Sequence, residues 1–353
     1  MFFIDTSRNG KPIYDPIVNQ SLDNYLINDL RLKGHGLIMY INSPCVIIGA
    51  NQNAYAEVNL NYLKKNNITL VRRTGGGGAV YHDFGNIIFE NIVVNEETHF
   101  GDFKYYAAPI VNALRDLGLQ NVEMKGKNDI SIQGHKISGM SMVAAKNSIA
   151  AGGTLLYDLN HERAARVLKP NQDKLKVKGI ESVDKRILNI RDLLPEKLRN
   201  LSTDEFKNLL LKKIFNVDSF EQIPKYTLTA KDWKIIDSRV KEKYATKEWN
   251  YGRNPGYEYY VSKYFKDVGT IAFNFNVKDN VLTDFKTYGD VNYTDLSSID
   301  TSLKGTVLNK DALADAFTQG NYRKVFNDIL LKDLVDMILN RKNSEIVLQK
   351  PSK

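Results

Sequence analysis

The chain has 353 residues, of which 42% are hydrophobic and 25% are charged, and its net charge is +8. This length exceeds that of one typical domain, so we expect two domains and a substantial buried core. No stretch of about 18 uninterrupted apolar residues occurs, so we predict no transmembrane helix. The start lacks a signal-peptide pattern, so we predict no signal peptide. The single cysteine, Cys45, excludes an intramolecular disulfide and a multi-cysteine zinc site. We therefore expect a cytoplasmic protein.

Apolar periodicity predicts helices and strands in mixed order along the chain. The predicted helices cover residues 15–34, 58–65, 103–117, 160–168, 203–215 and 230–244, with helical periodicity again at 311–340. The predicted strands cover residues 37–41, 46–48, 68–71, 87–94, 129–132, 136–138, 142–144, 154–157, 257–265, 269–277 and 281–287. Because the two kinds of element do not alternate regularly, the sequence predicts an α+β fold.

A change in composition near residues 243–250 marks the predicted domain boundary. Beyond it, three strands in antiparallel-looking succession are followed by helical periodicity over about a hundred residues, a normal domain size. We therefore predict a larger domain at residues 1–245 and a smaller α+β domain at residues 246–353.

The excess of basic over acidic residues favours anionic partners such as nucleotides or an acidic protein. The basic residues are scattered, however, and neither an RNA-binding signature nor a zinc finger is present. In the simpler interpretation, most of these basic residues lie on a solvated, lysine-rich surface. We predict no nucleic-acid partner.

The most distinctive stretch is residues 72–86, which lies between two apolar, β-branched runs. Its four consecutive glycines, residues 75–78, are entropically expensive and are useful where the backbone must turn sharply and offer its N–H groups to a ligand. Arg72 and Arg73 precede them with planar donor groups suited to carboxylate or phosphate. The alternative is a flexible hairpin loop with a cationic edge. We favour the ligand site because flexible linkers are not normally placed between hydrophobic strands.

Several common sites are excluded by their spacing. The glycine run lacks the Gly-Lys-Ser/Thr of a phosphate-binding P-loop and the third glycine of a dinucleotide fingerprint. The five histidines include no pair at i,i+4, so we do not expect a dedicated zinc site. Cys45 lies in an apolar stretch, and we predict that it packs in the core rather than acting as a nucleophile.

A second informative segment spans residues 125–139. Lys136 follows a predicted tight turn at Gln133-Gly134-His135, where a lysine is usually a solvated cation, but the small residues Ser138 and Gly139 come directly after it. Asp129 is either a Mg²⁺ ligand or a carboxylate at the edge of a turn. Together the two segments indicate nucleotide or acyl-phosphate chemistry that works by positioning and charge stabilisation.

These segments resemble the bacterial lipoate–protein ligases of the biotin/lipoate ligase superfamily. The family signature, Arg-Arg-x-x-Gly-Gly-Gly-Ala-Val-x-His-Asp-x-Gly-Asn, is matched throughout by residues 72–86. The other segments that resemble family motifs, in family order, are 44–53, 127–130, 136–139, 153–156, 174–183 with Arg186, and 249–255. The resemblance implies a mixed-sheet catalytic domain of the biotin/lipoate ligase type followed by a small accessory domain.

The resemblance also implies a two-step reaction. Lipoate and ATP form lipoyl-adenylate with the help of Mg²⁺, and a lysine of an apo lipoyl domain then takes the lipoyl group and AMP is released. The acceptors would be 2-oxoacid dehydrogenase E2 subunits or glycine-cleavage H protein, and the enzyme is expected to be a monomer. Lys136 matches the essential lysine of the family, and Asp129 is a candidate Mg²⁺ ligand. The residues expected to bind ATP or lipoyl-adenylate are Arg72, Arg73, Gly75, Gly76, Gly77, Gly78, Ala79, Val80, Tyr81, His82, Asn86, Asn128, Lys136, Ser138 and Gly139.

Two departures from the family pattern leave acceptor choice open. The histidine that often precedes Gly-Thr-Leu-Leu is replaced by the small residues 150–152, and Lys127 stands where arginine is usual. One alternative is an octanoyl- or lipoyl-transferase without ATP, which uses a cysteine nucleophile. A non-catalytic lipoate- or nucleotide-binding regulator is another. Biotin–protein ligase fits less well, because its signature differs from residues 75–78.

Overall fold

The computed structural model describes residues 1–94, 99–126, 128–145, 147–169, 187–252, 257–291 and 295–341. Lys127, the segment 174–183, Arg186 and residues 253–255 therefore lie outside the described residues, although the sequence singles them out. No helix within the described ranges is long and apolar enough to cross a membrane.

An eight-stranded mixed sheet forms the centre of the larger part of the chain. Its strands are β1 (Phe2–Asp5), β2 (Gly34–Ile41), β6 (Asn86–Val94), β7 (Val122–Lys125), β8 (Asp129–Ile132), β9 (His135–Ala145), β10 (Ser148–Leu156) and β11 (Lys225–Thr227). Their order in the sheet is β11-β1-β2-β6-β10-β9-β8-β7. Strand β1 is parallel to both of its neighbours, and the other neighbouring pairs are antiparallel.

A smaller sheet of three strands holds the glycine-rich stretch. It consists of β3 (Cys45–Ile48), β4 (Thr69–Arg72) and β5 (Val80–His82), with β3 in the middle, parallel to β4 and antiparallel to β5. Residues 73–79 connect β4 to β5, and we call them the glycine loop. The loop is therefore anchored at both ends by strands that pair with β3.

Helices cover both faces of the large sheet. Because successive residues of a strand point to opposite faces, each central strand contributes side chains to two cores. Phe89 of β6 belongs to a core that includes Tyr106 and Leu210, whereas the adjacent Ile88 belongs to a core that includes Leu22 and Trp233. The helices of this part are α1 (Pro16–Tyr25), α2 (Ala54–Glu57), α3 (Leu60–Lys65), α4 (Phe103–Asp116), α5 (His161–Val167), α6 (Ile190–Leu193), α7 (Glu196–Arg199), α8 (Thr203–Phe215), α9 (Ala230–Arg239) and α10 (Lys247–Tyr251). The π-helical turns Leu26–Leu30 and Val240–Tyr244 extend α1 and α9, and Phe220–Gln222 is a short 3₁₀ turn.

The C-terminal part has its own core. Its antiparallel sheet consists of β12 (Tyr259–Phe265), β13 (Gly269–Lys278) and β14 (Val281–Gly289). Phe273 of this sheet packs against Phe317 and Phe326 from the helices, and all three side chains are fully buried. The helices here are α11 (Ser297–Leu303), α12 (Lys310–Gln319), α13 (Tyr322–Phe326) and α14 (Leu331–Leu339).

The structure confirms the α+β class and most of the long predicted elements, and it corrects several others. Helix α8 begins after Ser202, whose hydroxyl accepts from the Glu205 N–H as an N-terminal cap. The two strands predicted at 136–138 and 142–144 are one strand, β9, which pairs with β8 on one side and β10 on the other. The helical periodicity at 311–340 is divided among three helices. Strands β1, β5, β7 and β11 were not predicted.

Two carboxyl groups are enclosed between α1 and the large sheet. Asp23 Oδ2 accepts hydrogen bonds from the Tyr40 hydroxyl at 2.6 Å and from Gln20 Nε2 at 3.0 Å. Within the described residues, Asp23 Oδ1 and Glu90 Oε2 have no hydrogen-bond partner. Burial raises the pKa of Asp23 to about 7, and burial together with the Asp23 charge raises the pKa of Glu90 well above its usual range. The folded protein therefore keeps protons that the unfolded chain releases near pH 4.

We predict that Glu90→Gln stabilises the protein more at pH 8 than at pH 5. A carboxyl with a raised pKa in the folded state makes folding less favourable as the pH rises from about 4 towards that pKa, so its removal helps most at high pH. The expected gain at pH 8 is at least about 1 kcal/mol, measured by thermal unfolding. Glu162→Gln is the control, because the exposed Glu162 carboxylate pairs with Arg166 on α5. Equal effects of Glu90→Gln at both pH values would contradict the prediction.

Candidate active site

The side chain of Lys136 and the glycine loop lie over the same face of β9. Lys136 Nζ is 2.5 Å from the position that a Cβ atom on Gly139 would take, so only glycine leaves room for the ammonium there. Val143 Cγ2 is 3.2 Å from the corresponding Cβ position on Gly75 of the glycine loop. Residues 139 and 143 are an even number apart on one strand and therefore point to the same face. The structure thus brings together the two segments that the sequence singles out.

Lys136 is held in place by an ion pair with Asp129. Lys136 Nζ lies 2.7 Å from Asp129 Oδ1, and the two side chains are 27% and 15% exposed. Asp129 faces Gly139 across β8 and β9, which places its carboxylate on the face where the ammonium lies. The pair is enclosed enough to fix the lysine and open enough for a ligand to approach it.

Two further predicted residues, Asn128 and Ser138, shape the strands around this pair. Asn128 donates from Nδ2 to the Met140 carbonyl at 2.5 Å and accepts at its own carbonyl from the Met140 N–H at 2.8 Å. Ser138 is fully buried, and its hydroxyl finds no partner in the described part of the chain. Asn128 therefore joins two strands in this structure, and a ligand contact for either residue remains a prediction.

The side chain of Arg73 lies within the glycine loop and binds carbonyl groups of that loop. Its guanidinium donates to the Gly76 carbonyl at 2.6 Å and 3.1 Å, and to the Gly78 carbonyl at 2.9 Å. Gly77 has φ +90°, a backbone conformation that favours glycine, and a Cβ atom on Gly49 would collide with the Gly77 carbonyl. Burial lowers the pKa of Arg73 to about 10, so it stays charged at neutral pH. Its contact with a phosphate remains a prediction.

Arg72 connects the strand before the loop to helix α10. Its side chain is buried, and its donors reach five backbone carbonyls, those of Gly49, Ala50, Gln52, Trp249 and Asn250, at 2.6–3.3 Å. The backbone of Arg72 joins in, because its N–H donates to Asn250 Oδ1 at 2.9 Å and its carbonyl accepts from Trp249 Nε1 at 2.8 Å. The sequence predicts Arg72 as a ligand-binding residue. In the structure its guanidinium donates hydrogen bonds to backbone carbonyls of the protein itself.

The strands that follow the loop carry the remaining predicted residues. Ala79 and Val80 are partly exposed, whereas Tyr81, His82 and Asn86 are buried. His82 Nδ1 lies 3.2 Å from Asn42 Nδ2, and burial together with the charge of Arg73 lowers the pKa of His82 to about 3. Across the described ranges, His82 Nε2 and both amide atoms of Asn86 have no hydrogen-bond partner.

The sequence interpretation missed several residues that organise this region. Gly49, Val143 and Asn42 contact the glycine loop or its neighbours, and Trp249 and Asn250 bind Arg72. Gly49, Trp249 and Asn250 lie in segments that resemble family motifs, but no spacing rule indicates which residues they touch. Such contacts depend on three-dimensional packing.

Asp129 is the candidate for a Mg²⁺ ligand. No group of three His, Cys, Asp or Glu side chains that could hold a metal ion occurs among the residues that the structure describes. Mg²⁺ usually binds one or two carboxylates together with substrate phosphates, so a single carboxylate beside a nucleotide site fits this ion. Asp129 would then have to share its carboxylate between the ion and Lys136.

Cys45 is unsuited to act as a nucleophile. Its side chain is fully buried, it lies opposite His82 in the small sheet, and burial raises its thiol pKa well above the usual value. The thiolate is the reactive form of cysteine, and this environment disfavours it.

Comparison with known proteins identifies the family. Residues 15–215 match the lipoyl protein ligase A/B catalytic domain, and residues 254–338 match the bacterial lipoate protein ligase C-terminus. The chain belongs to the lipoate–protein ligase family. It is 38% identical to lipoate-protein ligase LplJ of Bacillus subtilis (strain 168) over 339 residues, which cover 96% of this chain and 100% of that protein.

Solved structures show the same fold. A lipoate-protein ligase A bound with ATP is 27% identical, with a TM-score of 0.56 over 67% of this chain and 94% of that chain. A bipartite lipoate protein ligase from Thermoplasma acidophilum, described with its E2 lipoyl domain, is 29% identical, with a TM-score of 0.57 over 68% of this chain and 94% of that chain. These matches confirm the expected family, the fold class and the assignment as a ligase.

We predict that Arg72→Lys lowers the stability of this ligase by at least about 2 kcal/mol, because an ammonium cannot replace a planar donor that serves five backbone carbonyls. Chemical denaturation followed by tryptophan fluorescence measures the change. Arg8→Lys is the control, since Arg8 binds Asp237 at the surface, where both side chains are about 40% exposed. If the two substitutions have similar effects, Arg72 does not have this structural role.

Proposed function

We propose that the protein is an ATP-dependent lipoate–protein ligase that lipoylates a lysine of an apo lipoyl domain. In the first step a carboxylate oxygen of lipoate attacks the α-phosphorus of ATP, and the bond to pyrophosphate breaks. In the second step the lysine amine attacks the carbonyl carbon of lipoyl-adenylate, the bond to the phosphate oxygen breaks, and AMP leaves. The observation that carries the proposal is the Lys136 ammonium over the same face of β9 as the glycine loop.

The geometry supports charge stabilisation as the main contribution of the protein. The first step brings two anions together, and in this proposal the Lys136 ammonium contacts both the acyl oxygen and the α-phosphate. Asp129 limits the freedom of the ammonium, so less reorganisation is needed when the ligand binds. The proposed adenylate contacts of the glycine loop come from its backbone N–H groups, since Arg73 already binds the Gly76 and Gly78 carbonyls.

The remaining partners follow from this chemistry. Mg²⁺ would bind through the phosphates of ATP and Asp129, where it would offset the negative charge of the triphosphate. The acceptors we propose are E2 lipoyl domains or H protein; a net charge of +8 suits an acidic acceptor, and a related ligase is described with its E2 lipoyl domain. We propose that the enzyme acts as a monomer in the cytoplasm.

The ligase and transferase proposals predict opposite results for two substitutions. Lys136→Ala should abolish lipoylation, because it removes the cation that both steps use, and Cys45→Ser should leave the protein active. Lys125→Ala is the matched control, since Lys125 is an exposed lysine directly across from Asp129. The assay incubates the enzyme with lipoate, MgATP and an apo lipoyl domain, and measures the mass of the domain and the release of AMP.

Three outcomes would count against the ligase. A wild-type enzyme that produces no mass shift, no AMP and no adenylate would exclude it and leave a binding regulator. An inactive, folded Cys45→Ser variant would point to acyl transfer through a cysteine. Full activity of Lys136→Ala would refute the role of the ammonium.

We predict that Gly139→Ala reduces adenylate formation at least tenfold while leaving thermal unfolding almost unchanged. A Cβ atom at this position would displace the flexible end of Lys136 rather than backbone, so the ammonium moves and the fold is retained. A misplacement of about 1 Å at a charged group can lower a rate by about 100-fold. The control is Ser141→Ala, on the same strand with an exposed side chain. A variant as active as Ser141→Ala would show that the position of the ammonium is not critical.

A further inference from the structure

Three buried polar side chains form a hydrogen-bonded row from helix α1 to strand β5. Asn19 Nδ2 lies 2.8 Å from Asn42 Oδ1, and Asn42 Nδ2 lies 3.2 Å from His82 Nδ1. Asn19 and Asn42 are fully buried, and His82 is 4% exposed. The row ends at the residue that closes β5, three positions after the end of the glycine loop. We call these three residues the Asn–Asn–His row.

The orientation of every member of the row follows from one backbone carbonyl. Asn19 Nδ2 also lies 3.1 Å from the carbonyl oxygen of Ile13, which can only accept a hydrogen bond. The Asn19 atom that faces Ile13 must therefore be the amide nitrogen. The same nitrogen donates to Asn42, so Asn42 turns its oxygen towards Asn19 and its NH₂ group towards His82.

This orientation determines which ring nitrogen of His82 carries the proton. An NH₂ group can only donate, so His82 Nδ1 must be the unprotonated acceptor, and in the neutral ring the proton lies on Nε2. Because burial and the charge of Arg73 lower the pKa of His82 to about 3, the ring remains neutral at physiological pH. The row thus holds His82 as a neutral Nε2–H donor.

That donor has no acceptor in the part of the protein that the structure describes. A buried N–H without a partner is unfavourable, and buried polar groups nearly always have one. The ring is close enough to Arg73, the core of the glycine loop, for the two to interact electrostatically. An oxygen of a ligand bound beside the loop would supply the missing acceptor.

We propose that Asn19 and Asn42 are positioning residues that fix His82 as the Nε2–H tautomer, and that this N–H donates to an oxygen of the bound acyl-adenylate. The proposal rests on the ligase function proposed above, because an acyl-adenylate offers carbonyl and phosphate oxygens as acceptors. It also excludes His82 as a general base. One ring nitrogen is occupied by Asn42, and the other already carries a proton.

Charged and titratable groups approach His82 from the glycine loop, from its own strand and from the neighbouring strand. Arg73 approaches from the glycine loop, Asp83 is the next residue in the chain, and Cys45 lies opposite on β3. Of these three groups, Arg73 is the one whose charge lowers the pKa of His82. A carboxylate placed at position 42 would act against this effect directly.

The first test measures the tautomer itself, without an activity assay. In protein labelled with ¹⁵N-histidine, His82 should show an unprotonated Nδ1 and a protonated Nε2, unchanged between pH 8 and pH 5. Asn42→Asp replaces the amide donor by a carboxylate, so the proton should move to Nδ1 or the ring should become charged. The His82→Gln variant assigns the signals. A wild-type ring with its proton on Nδ1, or a ring unaffected by Asn42→Asp, would overturn the proposal.

The second test asks whether the donor contacts the ligand. Addition of chemically prepared lipoyl-AMP should shift the Nε2 resonance of His82, and an unchanged resonance in a protein that binds lipoyl-AMP would overturn the contact. Asn42→Asp should lower the rate of adenylate formation about tenfold, as expected for one lost hydrogen bond. In a His82→Gln background, where the glutamine amide keeps a donor near the Nε2 position, Asn42→Asp should change the rate less than about twofold. Equal effects in both backgrounds would refute the proposal that Asn42 acts through His82.

Controls separate this proposal from the ligase proposal and from misfolding. Asn189 Oδ1 lies 2.9 Å from His161 Nε2, so Asn189→Asp should affect the His161 resonance and leave the His82 resonances unchanged. If Asn42→Asp does not fold, Asn19→Ala removes the group that orients Asn42 and should give His82 a mixture of tautomers. A wild-type protein that forms no adenylate would refute the ligase function. The tautomer of His82 in the free protein tests the positioning role of the Asn–Asn–His row independently of that function.

Discussion

Two adjacent arginines with opposite tasks hold the glycine loop, and the rest of the site depends on them. The guanidinium of Arg73 gathers the carbonyls of Gly76 and Gly78, which gives the loop its shape. The guanidinium of Arg72 binds carbonyls before the loop and on helix α10. Buried carbonyls without donors are costly, so a loop of four glycines, which has little packing of its own, gains its order from these two cations.

This arrangement connects the loop to the C-terminal part of the chain. Arg72 binds Trp249 and Asn250, only a few residues before the C-terminal sheet begins, and the Gly289 N–H of that sheet donates to the Asn51 carbonyl at 2.8 Å. A displacement of the C-terminal part would therefore act on Arg72, directly before the loop, and on Asn51, which neighbours the carbonyls that Arg72 binds. Loop shape and the placement of the C-terminal part are thus physically linked through these hydrogen bonds.

Much of the fold and the outline of the site could be predicted from sequence, and the reasons for success and failure are physical. The signature at residues 72–86 and the long amphipathic helix α8 carry strong local signals. Strand β11 has three residues and takes its conformation from pairing with β1, so no local pattern reveals it. The sequence shows two arginines as equivalent charged groups. Which carbonyls each arginine binds, and that Asn42 faces His82, depends on contacts that no local pattern of the sequence shows.

The same contacts restrict the chemistry that these residues can perform. In the proposed second step the attacking lysine must lose a proton, yet both arginines stay charged near neutral pH and the ring of His82 is held with its basic nitrogen on Asn42. Lys136 is paired with Asp129, and an ammonium has no lone pair to accept a proton. These groups can stabilise negative charge and orient an acyl-adenylate, but they do not take up the proton. Of the residues placed at the site, the Asp129 carboxylate keeps lone pairs that can accept the proton, while the activated anhydride supplies the driving force of the transfer.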